Sequence, residues 1–322
     1  MRALRLAWLL WSGLCGAAPA PRPAVYVPLW SPQAQFAGYY MAQSKGFYKE
    51  RGLDVSILRG GPDMPAEAWL AAGKAEFGTL WLSEAIRARA RGLRLVNLAQ
   101  TSQYSALVLV ARKSSGIRKP ADIGGKTVGL WEDFQVLPKA FFRKYGIAVR
   151  EVRQSHSINL FLRGGVDLAS AMLYNEYHTM IDSGLDPEEM QVFRSDEYGL
   201  NAPEDGIYAL EAAFARDPAR ACGFAQATLE GWRYAFAHPD EALDEVLRRM
   251  EAAHLPASRA HQRWMLDRIR ELSEERASGT FTGQLKRQDY DRVARMLRDG
   301  GQISAAPAYD SFVARCARPH GQ

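Results

Sequence analysis

Aromatic and hydrogen-bonding side chains gather at a few places in this 322-residue chain. Trp30, Gln33 and Gln35 stand together, as do Trp81 and Glu84. Gln100 and Gln103 form a third group, and Trp131 and Glu132 a fourth. Tyr174, Asn175, Glu176 and Tyr177 are contiguous, and Glu204 adjoins Asp205. Indole and phenol rings make flat apolar walls, while amides and carboxylates orient the polar edge of a ligand. That combination suits a planar heterocycle held by stacking and a few directed hydrogen bonds. Any one of these aromatics would serve equally well as core filler; it is their recurrence beside expected strand ends that points to a site.

Catalytic signatures are missing from the sequence. It has no P-loop, no G-x-G-x-x-G, no G-x-S-x-G elbow and no H-E-x-x-H. The 6 histidines are scattered. His254 and His261 are spaced to share a helix face, but no cysteine or carboxylate near them completes a metal set, so surface histidines and no metal are expected. No organic cofactor is expected either. The glycine pairs Gly60-Gly61 and Gly164-Gly165 read as turns, and Asp63, just after the first pair, is placed to cap the helix that follows.

The elements that must position the polar groups alternate. Strands are expected over 25–29, 54–58, 77–80 and 93–99, with helices over 33–51, up to 73, and over 83–91. A further apolar stretch covers 104–111. A second series follows, with strands at 127–130, 149–152, 168–172 and 191–193 and helices at 137–145, 157–163 and 174–183. The segment 199–207 reads as a return crossing, and from 212 onward the chain is helical with breaks at Pro218, Pro239 and Pro256. This rhythm predicts an α/β protein of two mostly parallel sheets flanked by helices and joined by a two-crossing hinge. One lobe takes 21–110 and 207–322, the other 111–206. Ligands of open α/β sheets bind beyond the carboxyl ends of strands, which here face each other across a cleft.

Hydrophobic residues make up 47% and charged residues 24% of the chain, which excludes disorder and a disulfide-only scaffold. The net charge of +5 is spread out, without a polybasic run, so nucleic acid is not an expected partner. Arg2 and Arg5, the apolar stretch 6–14 and Ala18-Pro19-Ala20 have the form of a cleaved secretory signal covering 1–20, and no later window is long enough to span a membrane. A lipid anchor on Cys15 is the alternative, disfavoured because Leu14 is large where such cleavage needs a small residue. Cys222 and Cys316 remain, free to pair in an oxidising compartment if the fold brings them together, or to stay as half-buried thiols.

The stretch Trp30-Ser31-Pro32-Gln33-Ala34-Gln35-Phe36-Ala37-Gly38-Tyr39-Tyr40, with Lys45-Gly46-Phe47-Tyr48 and Gly52-Leu53-Asp54-Val55, resembles solute-binding proteins of ABC importers. It is most similar to the thiamine-pyrimidine-precursor binding proteins and their eukaryotic pyrimidine-synthase relatives. Gly73-Lys74-Ala75-Glu76-Phe77-Gly78, Ser115-Gly116-Ile117 and Ile123-Gly124-Gly125-Lys126-Thr127-Val128-Gly129 continue the match, with Ile123 where the family more often has leucine. The segment from Asp217-Pro218-Ala219 to Pro239-Asp240-Glu241-Ala242 fits as well.

The resemblance implies a bilobal type II periplasmic-binding fold and capture of a small solute for an ABC permease and ATPase. Related branches are associated with pyrimidines, riboflavin and alkanesulfonates. The synthase branch consumes its own histidine and carries pyridoxal phosphate on a lysine. The matching positions here are Leu80 and Glu84, and the stretch Asn201-Ala202-Pro203-Glu204-Asp205-Gly206 lacks that branch's cysteines. The expectation is therefore a periplasmic binding protein and not an enzyme, with a pyrimidine-synthase-like enzyme or a sensing module as alternatives. Its ligand-binding residues are Trp30, Gln35, Tyr39, Asp63, Trp81, Glu84, Gln103, Trp131, Tyr174, Asn175, Glu176 and Asp205, with Glu176 as the anchor from the second lobe.

Overall fold

Strands form where the apolar runs lie. The computed structural model of the chain describes residues 20–314 and Cys316, so the expected leader lies outside the described residues. The strands are β1 (Arg22–Val27), β2 (Leu53–Ile57), β3 (Phe77–Trp81), β4 (Leu95–Gln100), β5 (Leu107–Arg112), β6 (Thr127–Leu130), β7 (Arg150–Arg153), β8 (Leu168–Met172), β9 (Met190–Arg194) and β10 (Asp205–Leu210). They make two five-stranded sheets, ordered β2-β1-β3-β10-β4 and β7-β6-β8-β5-β9. β3, β4 and β8 are buried along their whole length, as strands covered by helices on both faces must be. β7, at an edge, is mostly exposed and carries Arg150, Glu151 and Arg153, charges that discourage edge-to-edge pairing.

Each sheet is parallel except for one strand. β10 runs antiparallel to both β3 and β4, and β5 antiparallel to both β8 and β9. These two are the strands by which the chain leaves and re-enters the first lobe. All of β5 pairs within the second sheet and all of β10 within the first, so boundaries at 110 and 206 would cut both strands. The crossings themselves are 101–106 and 199–204.

Helical expectations held with local changes. The single helix expected over 33–51 is three pieces: a 3-10 turn Ala34–Phe36 running straight into Ala37–Ser44, then Phe47–Glu50, set apart by Gly46 with its φ of +82°. Pro218 and Pro239 do not merely break helices. Each occupies the first turn of one, Pro218–Ala237 and Pro239–Ala252, where its missing N–H costs nothing. The helices Ala37–Ser44 and Pro218–Ala237 cross with backbones in contact: a Cβ on Gly231 would lie 2.1 Å from the Gly38 carbonyl oxygen. Behind this crossing the first lobe's core stacks Phe77 on Phe224 at 4.0 Å and Tyr26 on Tyr39 at 4.3 Å.

Cys222 and Cys316 form a disulfide with a Cα–Cα distance of 5.4 Å. It pins the C-terminal segment to the Pro218–Ala237 helix, beside the bridge that Val313 makes to Asn97 on β4. Among the described residues no helix is long and apolar enough to cross a membrane.

Candidate functional site

The two crossings run side by side and are bonded to each other rather than left as loose linkers. Gln100 donates from Nε2 to the carbonyls of Glu204 and Asp205 at 3.1 and 3.0 Å. Thr101 Oγ1 donates to the Asp205 carbonyl at 2.9 Å. Glu204 Oε1 accepts from the Ser105 hydroxyl and from the Ala106 and Leu107 N–H groups, at 2.5, 2.9 and 3.1 Å. Gln103 belongs to this layer: its Nε2 donates to the carbonyls of Gln100 and Gln284, so it braces the hinge and does not line the cleft.

The carboxyl ends of strands from both sheets meet above the hinge. Trp30, Gln33 and Gln35 follow β1, Trp81 ends β3, Trp131 and Phe134 follow β6, His156 follows β7, and Tyr174 to Glu176 follow β8. Together with Leu29 and Met172 they line one cavity of about 50 Å³ between the lobes. Rings close it. Phe134 lies 4.2 Å from Trp81 across the cleft and 6.3 Å from Trp131 at 90°. Trp30 meets His156 edge-on at 4.8 Å, also across the cleft. A second pocket of about 10 Å³, room for about one water-sized group, adjoins it behind Gln35 and Tyr174. Thr101, Ser102, Glu204, Asp205 and Trp232 line this inner end.

A relay of side chains links the two pockets. Gln33 Nε2 donates to Gln35 Oε1 at 2.6 Å, and Gln35 Nε2 donates to Asp205 Oδ2 at 2.8 Å. The other oxygen, Asp205 Oδ1, is buried and has no hydrogen-bond partner among the described residues. The same holds for the indole N–H groups of Trp81 and Trp232. The Trp81 indole lies close enough to steady the Asp205 carboxylate without closing a full hydrogen bond. Unpaired buried polar atoms cost about 1–3 kcal/mol each, so Asp205 Oδ1 and Trp232 Nε1, both at the inner pocket, mark a place built to meet polar partners.

Burial raises the carboxyl groups of the cleft toward neutrality. Asp205 is pushed up to about 7 and Glu204 to about 8. Glu176 rises to about 7, its Oε2 accepting from the Met172 N–H at 3.0 Å and its Oε1 from Asn175 Nδ2 at 2.9 Å. Glu176 therefore braces the start of its own helix, Glu176–Asp182, while also lining the cavity.

Of the expected ligand residues, the structure brings Trp30, Gln35, Trp81, Trp131, Tyr174, Asn175 and Glu176 to the main cavity and Asp205 to its inner end. Four lie elsewhere. Tyr39 is core, its hydroxyl sharing a 2.9 Å hydrogen bond with Thr79 behind the site. Glu84 sits on the Leu82–Ala90 helix against Arg87 at 3.1 Å, held near 7 by burial, outside the cavity. Asp63 is exposed and bound to Arg59, so it caps nothing; the helix Ala66–Ala71 starts from Pro65 without a side-chain cap. Gln103 is in the hinge. Phe134 and His156 were missed: Phe134 lies in a loop four residues past β6, and His156 stands among polar residues after β7, an edge strand with no apolar run to announce a site.

The histidine expectation also needs correcting. His254 lies between helices, and it is His178 and Asp182 of the second lobe that reach His261. His178 Nδ1 stands 2.9 Å from His261 Nδ1.

Comparison with known proteins agrees with this architecture. The chain is 25% identical over 310 residues to the riboflavin-binding protein RibY of Chloroflexus aurantiacus, covering 90% of this chain and 86% of that one. It is 23% identical to the formylaminopyrimidine-binding protein of Halalkalibacterium halodurans, over 79% and 78% of the two chains. The pyrimidine phosphate synthase of Schizosaccharomyces pombe is 27% identical but matches only 50% of this chain and 44% of its own length. In fold it is similar to the periplasmic aliphatic sulphonate binding protein SsuA of Escherichia coli, with a TM-score of 0.72, 15% identity and 94% and 95% coverage. The profile of one family matches residues 33–242, which hold every cavity-lining residue except Leu29 and Trp30. Through that match, the chain belongs to the NMT1/THI5-like family.

Proposed function

We propose that this protein captures a small planar nitrogen heterocycle, a thiamine-type pyrimidine precursor or a close relative, between its lobes and delivers it to an ABC permease and its ATPase. The observation that carries the reading is the pairing of a ring-lined slot with unmet buried polar atoms at its inner end. Trp30, Trp81 and Trp131 supply faces for a heterocycle. Asp205 Oδ2 stays with Gln35, while the unpaired Oδ1 is free to accept from an exocyclic amine or ring N–H, which favours the ionised form of a carboxyl that burial alone raises to about 7. Glu176 completes the polar lining from the second lobe.

Delivery outside the cytoplasmic membrane fits the disulfide, which persists in oxidising compartments, and the leader-like sequence ahead of Pro21. The likeness to binding proteins over most of their length supports transport without turnover. The synthase reading lacks its reagents, because Leu80 is buried in β3 and Glu84 is paired to Arg87.

A cavity of about 50 Å³ is far below the roughly 300–1,000 Å³ of a small-molecule site. Entry of a ring therefore requires Phe134 to leave Trp81 or the lobes to part, a hinge motion that the paired crossings permit. A single pyrimidine demands less rearrangement than a three-ring flavin. Mass spectrometry of small molecules released from the purified protein, followed by calorimetry with a formylaminopyrimidine, riboflavin and an alkanesulfonate, tests the proposal. It expects one equivalent of a nitrogen heterocycle; preference for the sulfonate would reject the ligand class.

A further inference from the structure

Three side chains from opposite lobes converge at the rim of the cleft. His178 and Asp182 are one helical turn apart on Glu176–Asp182, and His261 lies in the first turn of Arg259–Ser273, a helix of the C-terminal layer. The three facing atoms are His178 Nδ1, His261 Nδ1 and Asp182 Oδ2, separated by 2.9, 3.2 and 4.0 Å. A tetrahedral zinc ion with ligands at about 2.0–2.2 Å needs ligand atoms about 3.3–3.6 Å apart. The observed triangle brackets that edge, so a metal fits with adjustments of well under 1 Å.

The surroundings prepare His261 for such a role. Asn175 Nδ2 donates to Glu176 Oε1, which fixes the amide so that Asn175 Oδ1 faces the imidazole. His261 Nε2 lies 2.9 Å from that oxygen and donates its N–H to it. The tautomer so selected leaves Nδ1 as a lone pair, aimed at His178 and Asp182. A second hydrogen bond from the far ring nitrogen to a carbonyl oxygen is the usual support of a metal-bound histidine. The two imidazoles are mostly covered, at 13% and 15% side-chain exposure, while Asp182 is 55% exposed and leaves an approach from solvent for the ion and a fourth, water ligand.

We infer that His178, Asp182 and His261 bind a divalent transition metal, zinc by donor type and geometry, and that the ion ties the two lobes together at the cleft rim. One ligand comes from the first lobe and two from the second, so parting the lobes breaks the site. The relay from His261 through Asn175 to Glu176 joins it to the cavity, and metal and solute binding therefore favour each other to an equal degree. The metal site itself stands whichever solute the cavity takes.

The test uses the full chain, stripped with chelator and loaded with zinc alone or cobalt alone. The expected result is one metal equivalent retained through gel filtration, a tetrahedral cobalt absorption band, and a smaller radius of gyration in solution scattering with zinc. His178→Gln, His261→Gln and the solvent-facing Asp182→Asn should each lose the band, and Asn175→Ala should weaken metal binding by about 10–100-fold. Circular dichroism checks that each variant folds, and Asp182→Asn, exposed and away from the core, serves if a histidine variant does not. Equal metal retention by wild type and the His178→Gln, His261→Gln double variant would show a plain hydrogen bond between imidazoles and overturn the site. Metal binding with no change in the radius of gyration would overturn the tie between lobes.

Discussion

The two lobes share one topology but not one state of hydrogen bonding. In each sheet the strand order and the single antiparallel strand are the same, and an indole follows the equivalent first strand, Trp30 after β1 and Trp131 after β6. Yet Trp131 donates from Nε1 to the Ser155 carbonyl at 3.0 Å, and both oxygens of Glu176 have partners within their own lobe. On the other side Trp81 Nε1, Trp232 Nε1 and Asp205 Oδ1 have none among the described residues. Trp131 and Glu176 of the second lobe are thus already satisfied, whereas the first lobe carries buried unmet groups that a solute's polar edge would satisfy. The sheets teach that duplication of a fold need not duplicate its recognition chemistry.

The lobes also differ in how they are secured, and the largest expected effect breaks that difference. The Cys222–Cys316 bond lies wholly in the first lobe and closes a loop of sequence separation 94. Its reduction should cost about 2–4 kcal/mol, read as a lower melting temperature. Hydrogen exchange should rise in β4 and in the Pro218–Ala237 helix but not in β6 or β8.

For solute binding, Asp205→Asn should weaken affinity by about ten- to a hundred-fold, the worth of a hydrogen bond to a charged group. Trp81→Phe keeps an aromatic face and removes the N–H, so calorimetry should show a smaller loss, about two- to tenfold. Glu176→Gln should cost less affinity than Asp205→Asn, because local partners already occupy its oxygens. If Glu176→Gln proved the more damaging of the two, recognition would have to be assigned to the second lobe.

A separate effect is on pH. Unfolded Asp and Glu titrate at about 3.9 and 4.3, whereas folded Asp205 and Glu204 are raised to about 7 and 8. Between roughly pH 4 and 8 the folded chain holds more protons than the unfolded one, so stability falls as pH rises through that window and levels off above it. Melting curves at a series of pH values should show this slope, flattened in Asp205→Asn.

Much of this was legible in the sequence, for identifiable reasons. β6 and β8 lie where apolar runs bounded by glycine, lysine and aspartate placed them, and the strand-end aromatics did converge on a cleft. What escaped was long-range. Tyr39 reads as a ligand residue beside Gln35, yet the helical turn between them points it into the core against Tyr26. Asp63 reads as a cap, but Arg59 was near enough to claim it. Phe134 sits in a loop without a periodic pattern, so nothing local announced that it would reach Trp81. The repeated sheet order left no trace as an internal repeat, because topology constrains burial and not residue identity. The partners of His261 lie more than seventy residues upstream, across the cleft, where spacing arguments do not reach.

Capture of a heterocycle in the cleft would draw on polar groups of the first lobe and rings of both. Titration calorimetry of the wild-type chain and Asp205→Asn with a formylaminopyrimidine, with tryptophan fluorescence recorded alongside, tests it most directly. The wild type should bind one-to-one with quenching of the cleft indoles, and the folded variant should lose most of its affinity. Equal affinity in both proteins, with fluorescence unchanged, would contradict it.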